Sequence, residues 1–499
     1  MDGTVNKRLT AAAKRLGQGS ALCLCAIALL TGPGCGGGGG GPTTPPTVGP
    51  SSSTGPDHFG VDGFSQQHLR TISELGDGAS GVNDIRWGSV ERNPPVGGQH
   101  SYTDPQDAVQ SANTLRSLGR QLQVNIRPDN DWALQTGSRT QVDPSTGRRI
   151  ARWVRIKPEY LNDWADLIRF AVRTVSIDYL QISSEAENSW ESPQGFAEAV
   201  CVAASAAKSV KPDIKVLASG FNLANYLLID AERRAQILRT ATPAQLQEFY
   251  ALEEQMQLKM EFISQFLAAS RGCFDILTLH LNDLPTASHP TVQWMRAQMA
   301  TQGYERPIWS DDMASGPSYS ELFSTADELA FESLVENENP AALEEYAVEQ
   351  AKTAVKKPVH AFAAGVQRVF LSTDTDWSTY FIPFWRHQGL LSVEGVRKPA
   401  FYSYQQLIAE IDGFVRAEQV YETTFRFSFA DKDPVVLVWT EGEARTVDLS
   451  GVVPSGTVRV KSIVTRLDRN LQPIRTPDVT VSAGAVPIST TPVVVTRVN

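Results

Sequence analysis

Cysteine, histidine and basic stretches are scarce in this chain. Five cysteines and seven histidines are spread over 499 residues. The histidines are scattered, no H-E-x-x-H occurs and no Cys/His pairing has zinc-ligand spacing, so neither a metal nor a cofactor is expected. There is no P-loop, and no G-x-G-x-x-G follows a strand, which removes the usual nucleotide-binding signatures. Ser219-Gly220 and Ser315-Gly316 lack the G-x-S-x-G elbow of a serine hydrolase. With 45 Lys and Arg against 55 Asp and Glu the net charge is −10. No basic stripe is left to neutralise phosphates, so nucleic acid is not an expected partner. A hydrophobic fraction of 41% with 20% charged residues suits a globular body.

The N-terminus is unlike the rest. Lys7, Arg8, Lys14 and Arg15 precede the apolar run Ala21 to Leu30. That run falls short of the about 20 residues needed to cross a bilayer but matches a signal-peptide core. It ends in Thr31-Gly32-Pro33-Gly34-Cys35, which resembles a bacterial lipobox with Gly32 where Leu is usual. The expectation is a leader over 1–35, lipidation at Cys35 and export to the cell envelope, at the outer membrane or cell surface. A plain secretory peptide is the alternative. Residues 36–57, rich in Gly, Pro, Ser and Thr, have no apolar periodicity and read as a spacer. Beyond Cys23 and Cys25 in the apolar run and Cys35, the chain has Cys201 and Cys273, which could pair in an oxidising compartment but sit in apolar contexts and read first as two free buried thiols.

From 58 to 414 short β-branched runs alternate with helical ones, as in parallel βαβ units. Strands are expected at 59–62, 82–87, 121–126, 179–183, 215–218, 275–280, 307–310 and 367–372. Helices are expected at 107–118, 160–175, 194–210, 245–269, 292–302, 341–363 and 400–411. Eight units over this length predict an α/β fold, a (β/α)8 TIM barrel with enlarged loops. Residues 415–499 change to short alternating runs broken by Gly, Pro and Asp, which predict a small antiparallel β-sandwich domain.

In such a barrel chemistry sits at the C-terminal strand ends. Those ends carry Arg86 and Trp87, then Trp132, then Ser184, Glu185, Glu187 and Trp190. The later strands contribute His280, Trp309, Asp311, Asp312 and Trp377. Carboxylates after the fourth and seventh strands would face each other across the mouth. Two facing carboxyls are what glycosidic cleavage requires, and flat indole faces stack on the C–H faces of sugars.

Several segments resemble the clan A glycoside hydrolases, retaining (β/α)8 enzymes. They are Ile85-Arg86-Trp87-Gly88-Ser89-Val90-Glu91 with Tyr102, Tyr179 to Glu185, Arg306 to Asp312, and Gly389 to Tyr402. The resemblance implies Glu185 as acid/base and Asp312 as nucleophile. Arg86, Trp87, Trp132, Ser184, Glu187, Trp190, His280, Trp309, Asp311 and Trp377 then bind substrate, with Arg86 paired to Asp312. Two positions depart from the pattern: Ser184 stands for Asn, and Asp312 for a Glu one methylene longer. An inverting variant, and a carbohydrate-binding lipoprotein that has lost turnover, remain as alternatives.

Overall fold

The computed structural model describes residues 58–63, 68–76, 78–80, 84–142, 149–229, 231–317, 326–377, 386–453 and 456–498. The expected leader, Cys35 and the spacer lie outside the described residues, as do Val82 and Asn83 of the expected second strand.

The main sheet is parallel. Its strands are β1 (Phe59–Asp62), β2 (Gly78–Ser80), β3 (Ile85–Arg86) and β4 (Gln121–Arg127). After an excursion through β5 (Leu134–Val142) and β6 (Arg149–Ile156) it continues with β7 (Tyr179–Ile182), β8 (Lys215–Leu217), β9 (Leu277–His280), β10 (Ile308–Ala314) and β11 (Arg368–Ser372). The strand order is β8-β7-β4-β2-β1-β11-β10-β9, with β3 beside β4. Two isolated parallel bridges, Leu217 with Ile276 and Phe221 with Leu279, lie beyond that path. Strand interiors such as Val124, Ile126, Leu180 and Ile182 are buried, as expected of strands covered on both faces.

The connecting helices begin where local chemistry tells them to. Ser192 caps the helix Pro193–Val210 by accepting from Gly195 N, with proline in the first turn. Thr242 and Gln245 form a reciprocal capping box for the helix Pro243–Ala269. Asn339 accepts from Ala341 N and Ala342 N at the start of Pro340–Ala363. An alanine-rich stripe of Pro193–Val210 (Ala199, Ala203, Ala207) is fully buried and lets the helix lie close to its neighbours.

Three features differ from expectation. The second strand is replaced by β2 and the separate, two-residue β3, after which Trp87–Val90 turns into helix. Gly88 permits that turn, because a Cβ there would stand 2.7 Å from Asp129 O. The β5–β6 hairpin follows β4 and was not legible as strands; it docks on the loop after β7 through a Trp153–Trp190 bridge. Finally, Cys201 and Cys273 are not free thiols but form a disulfide, their Cα atoms 4.7 Å apart. It ties Pro193–Val210 to the turn after Pro243–Ala269. Closing a loop with a sequence separation of 72 stabilises the fold by roughly 4 kcal/mol.

The C-terminal region is antiparallel. It comprises β12 (Arg416–Tyr421), β13 (Thr424–Ser428), β14 (Val435–Val438), β15 (Arg445–Val447), β16 (Thr457–Ser462), β17 (Val479–Ser482), β18 (Val486–Ile488) and β19 (Val493–Arg497). Six strands run β12-β13-β14-β19-β16-β17, and β15 pairs with β18. Alternation along β14 divides its side chains between two cores. Val435 and Leu437 join the core shared with the parallel sheet, while Val436 and Val438 pack with Val458, Val486 and Val495.

Candidate active site

The functional side chains gather at the C-terminal ends of β7, β9 and β10, where two local distortions place them. After β7 the backbone enters the left-handed region at Ser183 (φ 59) and again at Glu185 (φ 48). Neither residue is glycine, so the turn is strained, by about 1–3 kcal/mol at each position. It is held by Glu185 N donating to Gly220 O and Ala186 N to Ser219 Oγ. On β10 the pairing register with β9 shifts between Ser310 and Asp312, a bulge. In a regular strand Asp311 and Asp312 would point to opposite faces; the bulge turns both toward the same imidazole.

That imidazole is His280, the last residue of β9 and buried. Its Nδ1 lies 3.1 Å from Glu185 Oε1 and 3.6 Å from Asp312 Oδ2. Its Nε2 lies 3.8 Å from Asp311 Oδ2 and 3.3 Å from Ser184 Oγ. Gly220 makes room for the ring, since a Cβ there would stand 2.1 Å from Nε2. Asparagine amides converge on the same carboxylates. Asn188 Nδ2 donates to Glu185 Oε2 (3.0 Å), Asn222 Nδ2 to Glu185 Oε1 (3.4 Å) and Asn282 Nδ2 to Asp312 Oδ2 (3.4 Å).

A buried polar layer supports this group. Gln123 donates to Gln181 (2.6 Å), and Gln181 to Asp311 Oδ2 (2.5 Å). Glu187 is enclosed; its Oε1 accepts from Asn222 N at 3.0 Å and lies 3.7 Å from Lys259 Nζ. Lys357 donates to the carbonyls of Asn282 (2.8 Å) and Ala314 (2.9 Å), tying the loop after β9 to the end of β10.

The electrostatics follow from burial and partners. Burial alone would raise the Glu185 pKa, but the hydrogen bond and charge of His280, with Lys259 and Asn188 adding, bring it down to about 2. Burial pushes the other way on His280, where it would favour the neutral ring. Asp312, Asp311 and Glu185 outweigh it and hold the imidazole pKa well above the ordinary range. Burial raises Asp311 to about 6 against the pull of His280, and raises Glu187 to about 6 against that of Lys259. Lys357 falls to about 7 through burial, opposed by Asp283 and Asp312.

Of the residues singled out from sequence, Ser184, Glu185, His280, Asp311 and Asp312 come together, with Glu187 just behind them. Others do not. Arg86 does not pair with Asp312; it is about half exposed and lies 3.5 Å from Asp129 Oδ2. The Trp87 indole is fully buried, tilted against Trp164, and donates to Glu91 Oε2. Trp190 is likewise enclosed, between Trp153 and Phe196. Trp309 points into a lower layer with Tyr179, Leu217, Ile276 and Phe370, beneath the strand ends. These three indoles fill the interior and present no face to a ligand. Trp132 packs edge-on against Trp87 and Tyr160, and Trp377 is half-buried beside Arg386, whose carbonyl accepts from its backbone N–H. Sequence reasoning missed Asn188, Asn222, Asn282, Lys259 and Lys357. Asn188 and Asn282 follow strand ends and were open to it; the lysines lie on helices and gave no signal.

No protein-family model matches the chain, and no curated protein matches its sequence. Solved structures do match its fold. A family 39 glycoside hydrolase from Bacteroides cellulosilyticus aligns with TM-score 0.55 and 13% identity, over 88% of this chain and 81% of that one. A monomeric β-xylosidase from Caulobacter crescentus gives 0.51 and 16%, over 90% and 97%. A family 30 endoxylanase from Clostridium papyrosolvens gives 0.50 and 11%, again over 90% and 97%. The chain therefore has an α/β fold of the kind seen in these glycoside hydrolases. At these identities the likeness is one of fold.

Proposed function

We propose that the protein hydrolyses an O-glycosidic bond, with Glu185 as acid/base and Asp312 as nucleophile, on a closed (β/α)8 barrel over 58–414. Residues 415–499 then form an appended β-sandwich. The bridges between β8 and β9 support closure, and the two cores on either side of β14 support the sandwich. The observation that carries the activity is that His280 Nδ1 touches both carboxylates. Their nearer oxygens are separated by no more than the sum of those two contacts, about 7 Å, which spans the retaining spacing and only the lower edge of the inverting one. A separation within that bound is compatible with direct attack by Asp312. Glu185 and Asp312 remain open to solvent, with side chains 37% and 27% exposed, as groups that meet a substrate must be. The leader and Cys35 favour a lipid-anchored protein of the cell envelope acting on extracellular carbohydrate.

A second reading has one observation behind it. Glu185 rests ionised beside His280, the wrong state for a general acid. In that reading the cleft binds carbohydrate without turnover. A panel of aryl glycosides and polysaccharides, assayed with wild type and Glu185→Gln, separates the two. Hydrolysis that falls about 10²–10⁴-fold in the variant supports the enzyme. Binding by both proteins with turnover by neither leaves only the binding module.

A further inference from the structure

We propose that His280 is a proton store, carrying at rest the proton that Glu185 delivers to the leaving group, with Asp311 as its buried counter-ion. This rests on the hydrolase reading and resolves its chief difficulty.

The geometry is specific. His280 is flanked by carboxylates on two neighbouring segments, with Nδ1 aimed at the two reacting groups and Nε2 facing Asp311 and Ser184. Asp311 has no catalytic reach of its own: it is buried beneath the ring, bound by Gln181, and its Oδ1 has no hydrogen-bond partner. A buried carboxylate either takes up a proton or is offset by hydrogen bonds and a facing cation; here Gln181 supplies the bond and the imidazole is the cation within reach. The bulge on β10 and the absence of a side chain at Gly220 both serve to bring Asp311 and the imidazole together.

Every group facing the ring bears on its charge. Ser184 and Glu185 approach from the β7 end, Asp311 and Asp312 from β10, and the Gly220–Phe221 backbone from the β8 end. Lys259 acts on Glu185 from the helix Pro243–Ala269, while Asp283 and Lys357 stand behind Asp312. Three carboxylates in direct contact with one ring favour imidazolium, in line with its raised pKa.

The steps balance in protons. Substrate binding displaces water from the mouth, and the Nδ1 proton passes to Glu185 Oε1, leaving neutral imidazole protonated at Nε2. Glu185 gives that proton to the glycosidic oxygen as the C–O bond breaks and Asp312 bonds to the anomeric carbon. The alcohol leaves with the proton. Water then bonds to the anomeric carbon as the Asp312 ester breaks. Its proton goes to Glu185 and from there back to His280.

Two measurements test this on the full chain. The first is an NMR titration of the His280 ring nitrogens, assigned by their loss in His280→Gln, in wild type and Asp311→Asn. The expected result is imidazolium that persists above pH 7 in wild type and deprotonates at least tenfold more readily in Asp311→Asn. A wild-type ring that titrates at or below about 6.5 overturns the proposal, whether or not Asp311→Asn folds. The second compares His280→Gln with wild type on a dinitrophenyl glycoside, which needs no acid, and on an alkyl glycoside, which does. A loss at least tenfold larger for the alkyl substrate supports the store; equal losses overturn it and leave His280 a structural prop. Absence of turnover by wild type on every glycoside defeats the hydrolase reading instead, and the titration still decides the charge of the ring.

Discussion

The ends of β7, β9 and β10 and the ends of β3 and β4 belong to one sheet, yet they handle charge in opposite ways. At β3 and β4 the ions pair one to one: Arg86 with Asp129 at 3.5 Å and Arg127 with Asp84 at 2.7 Å. The aromatics beside them, Trp87 and Trp132, pack against each other and against Trp164 and Tyr160. At the other ends three carboxylates share one histidine, and the backbone carries two strained residues. Three acids gathered on one ring, Asp311 buried among them, are not called for by folding alone, which supports placing the proposed chemistry in this sector. In the proposed reading the matched sector is scaffold.

The largest expected effects divide along that line. Asp312→Asn replaces the carboxylate proposed to attack and is expected to lower turnover by about 10²–10⁴-fold, on the scale of losing a positioned acid or base. Its unfolding midpoint in urea should stay within a small margin of wild type, because the side chain is partly solvated. A variant that keeps its rate moves the nucleophile elsewhere. Trp87→Ala should do the converse. A fully buried indole replaced by alanine costs about 3–5 kcal/mol of stability. Its KM for any glycoside, measured on the folded fraction, should not change. A raised KM with unaltered stability would return Trp87 to the cleft and break the contrast between the two sectors.

The same contrast explains what could be read from sequence. Strands such as 121–126 and helices such as 194–210 were legible because burial on one or both faces imposes a period on side-chain type. Glu185, His280, Asp311 and Asp312 stood out in the sequence as polar residues at the ends of apolar strands, and the structure brings them together around one ring. Trp87, Trp190 and Trp309 were misread because an indole at a strand end looks the same whether it faces a sugar or a neighbouring indole. Only packing distinguishes the two, and packing is not local. The Arg86 partner was misassigned for a similar reason: Asp129 and Asp312 are both strand-end acids, and sequence holds no distance between them. The disulfide escaped because Cys201 and Cys273 meet through helix packing across 72 residues, a separation that no local pattern encodes. The bulge on β10 escaped too, since a Ser-Asp-Asp run reads equally well as a regular strand.

The smallest predicted effect probes what the matched sector costs. Burial raises Asp129 to about 6 despite Arg86 and Arg127, which pull it down. The folded state therefore holds this proton more tightly than the unfolded chain, whose carboxyl sits near 3.8. As pH rises from about 4 to about 6 the unfolded state is the first to release its proton, so Asp129 subtracts stability across that window. Glu185 has the opposite sign. Its folded pKa of about 2 lies below the ordinary 4.5, so its contribution is present above 4.5 and lost as pH falls toward 2. Asp129→Asn should thus gain on wild type as pH rises, by on the order of 1 kcal/mol at pH 7, and match it near pH 3. Urea midpoints at pH 3, 5 and 7 would show the two curves separating. If Asp129→Asn is instead the weaker protein at pH 7, the ion pair with Arg86 outweighs the burial of its carboxyl. The ends of β3 and β4 would then be held by charge rather than by packed indoles.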